Sequence, residues 1–153
     1  EYKQTKENLY NELREAFKHD YQKWNLDLDK DLSIKFTNPN VLFQSGKSDI
    51  TPVFQQILTV FFPKYLSVIT QDKYKEKIAE IRIEGHTDDV PIHSTNDPYI
   101  DNVQLSQDRS RNVLQLLLSG SNLVNKLLNK HYAKIYNKCK ILFDKNISLI
   151  LKS

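Results

Sequence analysis

The spacing of the apolar residues changes at Leu26, and that change constrains the fold more than any other feature of the chain. Before it, Leu9, Leu13, Phe17, Tyr21 and Trp24 recur every three to four residues with Lys and Glu between them, which predicts an amphipathic helix over residues 2–24. From there Leu26, Leu28, Leu32, Ile34 and Phe36 occupy even positions with polar residues between, the period of a half-buried strand. A chain carrying both periods must bury a helix stripe and a sheet face together, which selects layered α/β architectures.

The rest of the chain repeats this alternation. Asn38-Pro39-Asn40 reads as a turn, Val41-Leu42-Phe43 as a short apolar run, and Gly46 allows a bend. Thr51-Pro52 marks a helix start, with Thr as N-cap and Pro at the first helical position. That helix carries Val53, Ile57, Leu58 and Phe61, and Pro63 is expected to kink or end it. After a lysine-rich loop (Lys73, Lys75, Lys77), Ile81 and Ile83 alternate in a strand ending at Gly85. Residues 86–104 are polar and contain Pro91 and Pro98. A second helix is then expected to open at Leu105-Ser106, with Ser106 as N-cap, and to close near Ser119-Gly120. Beyond Ser121, Leu123, Leu127, Leu128, Tyr132, Ile135 and Tyr136 suit another helix. Ile141-Leu142-Phe143 and Ile147 to Leu151 suit two short strands around Asp144-Lys145-Asn146. The order predicts an α/β (α+β) sandwich with helices packed on a sheet. It divides into an N-terminal helix (1–25), a core (26–120) and an atypical tail (121–153) that completes the domain or is appended to it. Two roles are open for the first helix: packing against the domain, or connecting it to an upstream membrane segment.

At 153 residues the chain has the length of one domain that can build a core unaided. It opens at Glu1 and contains no Met, so it is read as a piece of a longer protein. No apolar stretch approaches the ~18 residues of a membrane span, and the single Cys139 cannot form an internal disulfide. The net charge of +3 is unevenly placed. Residues 121–153 carry seven lysines and one acid, Asp144, which leaves residues 1–120 at −3. Nucleic-acid or anionic-lipid binding is therefore a reading for the tail alone, and the tail has no Arg and only Tyr132, Tyr136 and Phe143 for stacking. No nucleic-acid partner is expected.

Chemistry concentrates where the Ile81–Gly85 strand runs into the polar loop and returns to a helix bearing Arg109 and Arg111. Arginines in a first helical turn oppose the macrodipole, so an anion or an ion pair is expected to compensate them. Arg109 offers a planar fork for a carboxylate, and free N–H groups after Ser106 would add donors. Asp88 can accept from an ammonium. Together they suit a zwitterion with both charges on one carbon, and the alternative is that Asp88 and Arg109 simply pair. His86, Asp88, Asp89 and His93 also have metal-ligand side chains, but their spacing matches no strong metal signature, so a metal-dependent enzyme is the weaker alternative. There is no G-x-S-x-G motif and no Walker A. No catalytic residue and no cofactor are expected.

Ile83-Glu84-Gly85-His86-Thr87-Asp88, followed by Asn102-x-x-Leu105-Ser106-x-x-Arg109-Ser110-x-x-Val113, resembles the core signature of the OmpA-like C-terminal domain family, which includes MotB flagellar stator proteins and peptidoglycan-associated lipoproteins. Val41 to Thr51 is similar to the segment before that family's first helix, and Asp88-Asp89-Val90-Pro91 looks most like the MotB-type branch. The resemblance covers roughly residues 30–120. It implies a βαβα core on a mixed sheet that binds peptidoglycan non-covalently, as the periplasmic part of a membrane-anchored bacterial protein and as a possible homodimer. It also implies that Asp88 and Arg109 hold the ends of the diaminopimelate residue, with Asn102 and Thr87 lining the same pocket. The tail departs from the pattern: no Arg follows Arg111, so the family's C-terminal Asn-Arg-Arg type motif has no counterpart.

Overall fold

A computed structural model describes residues 2–37, 42–44, 46–85, 98–119, 134–139 and 145–151. In chain order the elements are α1 (Tyr2–Ala16), α2 (Tyr21–Trp24), β1 (Leu26–Leu28), β2 (Ser33–Phe36), α3 (Pro52–Ile69), α4 (Asp72–Lys75), β3 (Ile78–Gly85), α5 (Pro98–Ser119), β4 (Lys134–Cys139) and β5 (Lys145–Leu151). The strands form one sheet in the order β1-β2-β5-β3-β4, antiparallel throughout except for the parallel β3–β4 pair. Helices packed on a sheet are the architecture that the alternating periods predicted, and the sheet is mixed, as the family resemblance implied.

The first helix is shorter than its periodicity suggested. It stops at Ala16, and a turn separates it from the single turn of α2. Leu9, Leu13, Phe17 and Trp24 are nonetheless all buried, and α1 packs on α3. Phe17 stacks on Phe61 at 5.0 Å, Phe61 stacks on Tyr65 at 5.3 Å, and Phe36 meets Phe54 and Phe61 edge-on at 5.2 Å each. Phe61 thus joins the helical layer to the sheet.

Residues 26–36 form a hairpin, not one strand. β1 and β2 pair antiparallel with Leu26 opposite Phe36 and Leu28 opposite Ile34, so the even positions share one face as the alternation required. The fold-back is set by local polar bonds: Ser33 N–H and Oγ–H both donate to Asp31 Oδ1, at 2.9 and 2.6 Å. Leu32 adopts φ +72 in this turn yet is fully buried, so apolar burial offsets a backbone region that side chains avoid.

α3 begins as the sequence indicated. Thr51 Oγ1 accepts from Phe54 N–H at 3.1 Å, and Pro52 follows at the first helical position. Pro63 neither ends nor interrupts the helix, which runs on to Ile69. The lost N–H bond costs less than unwinding would, because Phe61, Phe62, Tyr65, Leu66 and Ile69 are buried on both sides of Pro63.

In β3, Ile81 and Ile83 share a buried face, and Ile78 joins them despite the opposite parity. An irregularity in the β3–β5 ladder between Ile78 and Glu80 accounts for the change of phase. The tail supplies two of the five strands, and β5 lies between β2 and β3. Ile135 and Tyr136 belong to β4 rather than to a helix, because the β3–β4 ladder takes up their backbone bonds. Ile147 to Leu151 are strand, as expected. Asn38-Pro39-Asn40 and Ile141-Leu142-Phe143 lie outside the described residues.

Candidate functional site

The lysine- and carbonyl-lined turn between Leu42 and Ile50 meets the buried face of α5 at Arg109. The turn is tight. Lys47 N–H donates to Gln44 O at 3.0 Å, Phe43 and Ile50 form an antiparallel bridge, and Thr51 N–H donates to Leu42 O at 3.2 Å. Gly46 has φ +72 at the third position of the turn, where a positive φ is needed and glycine supplies it without strain.

α5 begins at Pro98, earlier than the sequence suggested. Proline has no N–H to lose at a helix start and its φ is preset for one, so the second proline of the polar stretch opens the helix. Ser106 is therefore interior rather than an N-cap, and Arg109 lies three turns in. The expectation that the dipole opposes Arg109 and that free N–H groups follow Ser106 is corrected accordingly. What places Arg109 is helix periodicity: Leu105, Ser106, Arg109, Ser110, Val113 and Leu117 are all buried. Arg111 points the other way and is exposed.

Arg109 is 5% exposed, and two backbone carbonyls are among its partners. Nε–H donates to Lys47 O at 2.9 Å, and Nη2–H donates to Gln44 O at 3.2 Å. The guanidinium carbon stands 4.8 Å from the centroid of the Phe43 ring, a cation–π distance. One turn further along, Asn112 Nδ2–H donates to Ser48 O at 2.8 Å. Three donors on one helix face thus grip three carbonyls of one turn, which fixes the plane of the guanidinium. A desolvated cation held in a set orientation suits a planar anion such as a carboxylate.

Of the residues predicted for the site, Arg109 is placed in full. Asn102 lies in α5 seven residues before Arg109, with its side chain outside the described residues. Thr87 and Asp88 lie outside the described residues, as do His86, Asp89 and His93. Among the described residues, no group of three His, Cys, Asp or Glu side chains could hold a metal, and no helix is long and apolar enough to cross a membrane. Sequence reasoning missed Phe43, Asn112 and the carbonyls of Gln44 and Lys47. Asn112 was findable, three residues after Arg109 on the same face. The carbonyls were not, because any residue presents one.

A family model described as the OmpA family matches residues 42–136. The chain is 37% identical to the Zorya protein ZorB of Escherichia coli over 150 residues, which is 94% of this chain and 63% of ZorB, so it spans less than two thirds of that relative. Two solved structures share the fold. A MotB-like protein from Desulfovibrio vulgaris has a TM-score of 0.67 at 20% identity, covering 98% of this chain and 96% of that one. The cell wall anchor of the T6SS from Pseudomonas aeruginosa has a TM-score of 0.55 at 15% identity, covering 92% and 97%.

Proposed function

Because the chain belongs to the OmpA family, we propose that it is a periplasmic cell-wall anchoring domain that binds peptidoglycan non-covalently and tethers a membrane-bound complex to the wall. It recognises the diaminopimelate of the peptide stem and does no chemistry on it. Arg109 takes the carboxylate, Asp88 takes the ammonium of the same carbon, and Thr87 and Asn102 line the pocket around them. The observation that carries this reading is the buried, pre-oriented guanidinium of Arg109, held by Gln44 O and Lys47 O over Phe43. Such a cation is desolvated and geometrically fixed before any ligand arrives, so little of the binding free energy is lost in ordering it.

The named relatives favour the same assignment, since one is itself called a cell wall anchor and another MotB-like. Arg109→Lys tests the role of the fork. Lysine keeps the charge but cannot bond two carbonyls and a carboxylate in one plane. Co-sedimentation with purified sacculi should weaken at least tenfold, with no soluble muropeptides released by either protein. Wild-type affinity in the Lys variant would remove Arg109 from the site, and muropeptide release would make the domain an enzyme.

A further inference from the structure

A cleft of about 510 Å3 along α1 is lined by Lys3, Lys6, Glu7, Tyr10, Asn11, Arg14 and Lys30, none of them in the family motif. Its cations differ from Lys64 and Lys73, which face carboxylates. Lys64 is answered by the Asp20 carboxylate at 2.9 Å, and Lys73 by Glu12 at 3.0 Å. Lys3, Lys6, Arg14 and Lys30 make no ion pair among the described residues. Lys6 lies in electrostatic reach of Asp31, but that carboxylate already accepts from Ser33 N–H and Oγ–H. One acid, Glu7, lines the cleft against four cations.

Positions 3, 6, 10 and 14 fall on one helix face, so Lys3 and Arg14 stand about 16 Å apart along it. Lys30 faces them from the β1–β2 turn. That row is too long for one small anion and suits several phosphate headgroups side by side. Tyr10 lines the cleft half-buried, Tyr2 next to Lys3 in sequence is 44% exposed, and phenol rings favour the boundary between headgroups and water. The apolar residues of α1 are committed to the core, so nothing on this face can insert, and attachment would be electrostatic and reversible.

We propose that this face docks the domain on an anionic lipid surface, independently of wall binding. The test uses the whole 153-residue chain and flotation with phosphatidylcholine vesicles, with and without added phosphatidylglycerol. Binding is expected only with phosphatidylglycerol, and it should fall steeply as salt is added. The triple variant Lys6→Glu, Arg14→Glu, Lys30→Glu should lose about a hundredfold in affinity or more. Its melting temperature and its binding to sacculi should stay unchanged, which separates this proposal from the wall-binding one. Absent binding, equal binding to neutral vesicles, or an unaffected triple variant would overturn it. So would inorganic phosphate binding that is lost in the variant while vesicles bind neither protein. Tighter binding of an RNA or an acidic polypeptide through the same residues would also overturn it.

Discussion

A guanidinium that is nearly all buried has to be surrounded by acceptors, and at Arg109 two of these are the carbonyls of Gln44 and Lys47. The motif Asn102-x-x-Leu105-Ser106-x-x-Arg109 made that residue legible in the sequence, but the turn that orients it was not, because a backbone carbonyl leaves no mark on residue identity. The reverse holds for Phe36. Its even position beside Ile34 was enough to predict burial, and the structure places it fully inside, against Phe54 and Phe61. Phe36→Ala should therefore destabilise by about 3–5 kcal/mol, the transfer term plus a cavity. Urea unfolding would check this, and a loss under about 1 kcal/mol would mean that the aromatic cluster closes over the gap.

Some element ends were legible in the sequence and others were not. Thr51-Pro52 named the start of α3 because cap and proline act locally. Pro63 does not end α3 because the buried residues around it outweigh one missing hydrogen bond. The β1–β2 fold-back was hidden because Leu32, a residue with no turn preference, takes the left-handed conformation. The seating of α1 on α4 was equally silent. There Glu12 accepts from the Tyr74 hydroxyl and from Gln71 Nε2 (3.1 Å) and pairs with Lys73 (3.0 Å). Burial alone would push the Glu12 carboxyl up, but these bonds hold it below its ordinary 4.5. A depressed carboxylate contributes stability that is complete above the unfolded value and lost as pH falls through the folded one. Thermal melts of the wild type should thus drop as pH falls below about 4.5. Glu12→Gln should be less stable at neutral pH and show a shallower drop over that window. An identical acid limb in both proteins would place the titrating group elsewhere.

Across the molecule, the uneven charge has a structural counterpart. Residues 134–139 and 145–151 of the lysine-rich tail are sheet strands, and β5 joins the N-terminal hairpin to β3 through backbone ladders on both sides. Composition set this tail apart, while pairing, which depends on register and not on residue type, makes it part of the sheet. The strand β3 and helix α5 that flank the proposed site are therefore held by segments distant in sequence. Binding of sacculi by the wild type and by Asp88→Ala tests this account most directly, with thermal melts confirming that both are folded. Asp88→Ala leaves the ligand's ammonium without its partner, and stranding a buried charge costs about 2–5 kcal/mol. That is about 30- to 4000-fold in affinity. The wild type is expected to co-sediment with diaminopimelate-containing sacculi, and the folded variant to stay in solution. A folded Asp88→Ala protein that binds sacculi as the wild type does would contradict it.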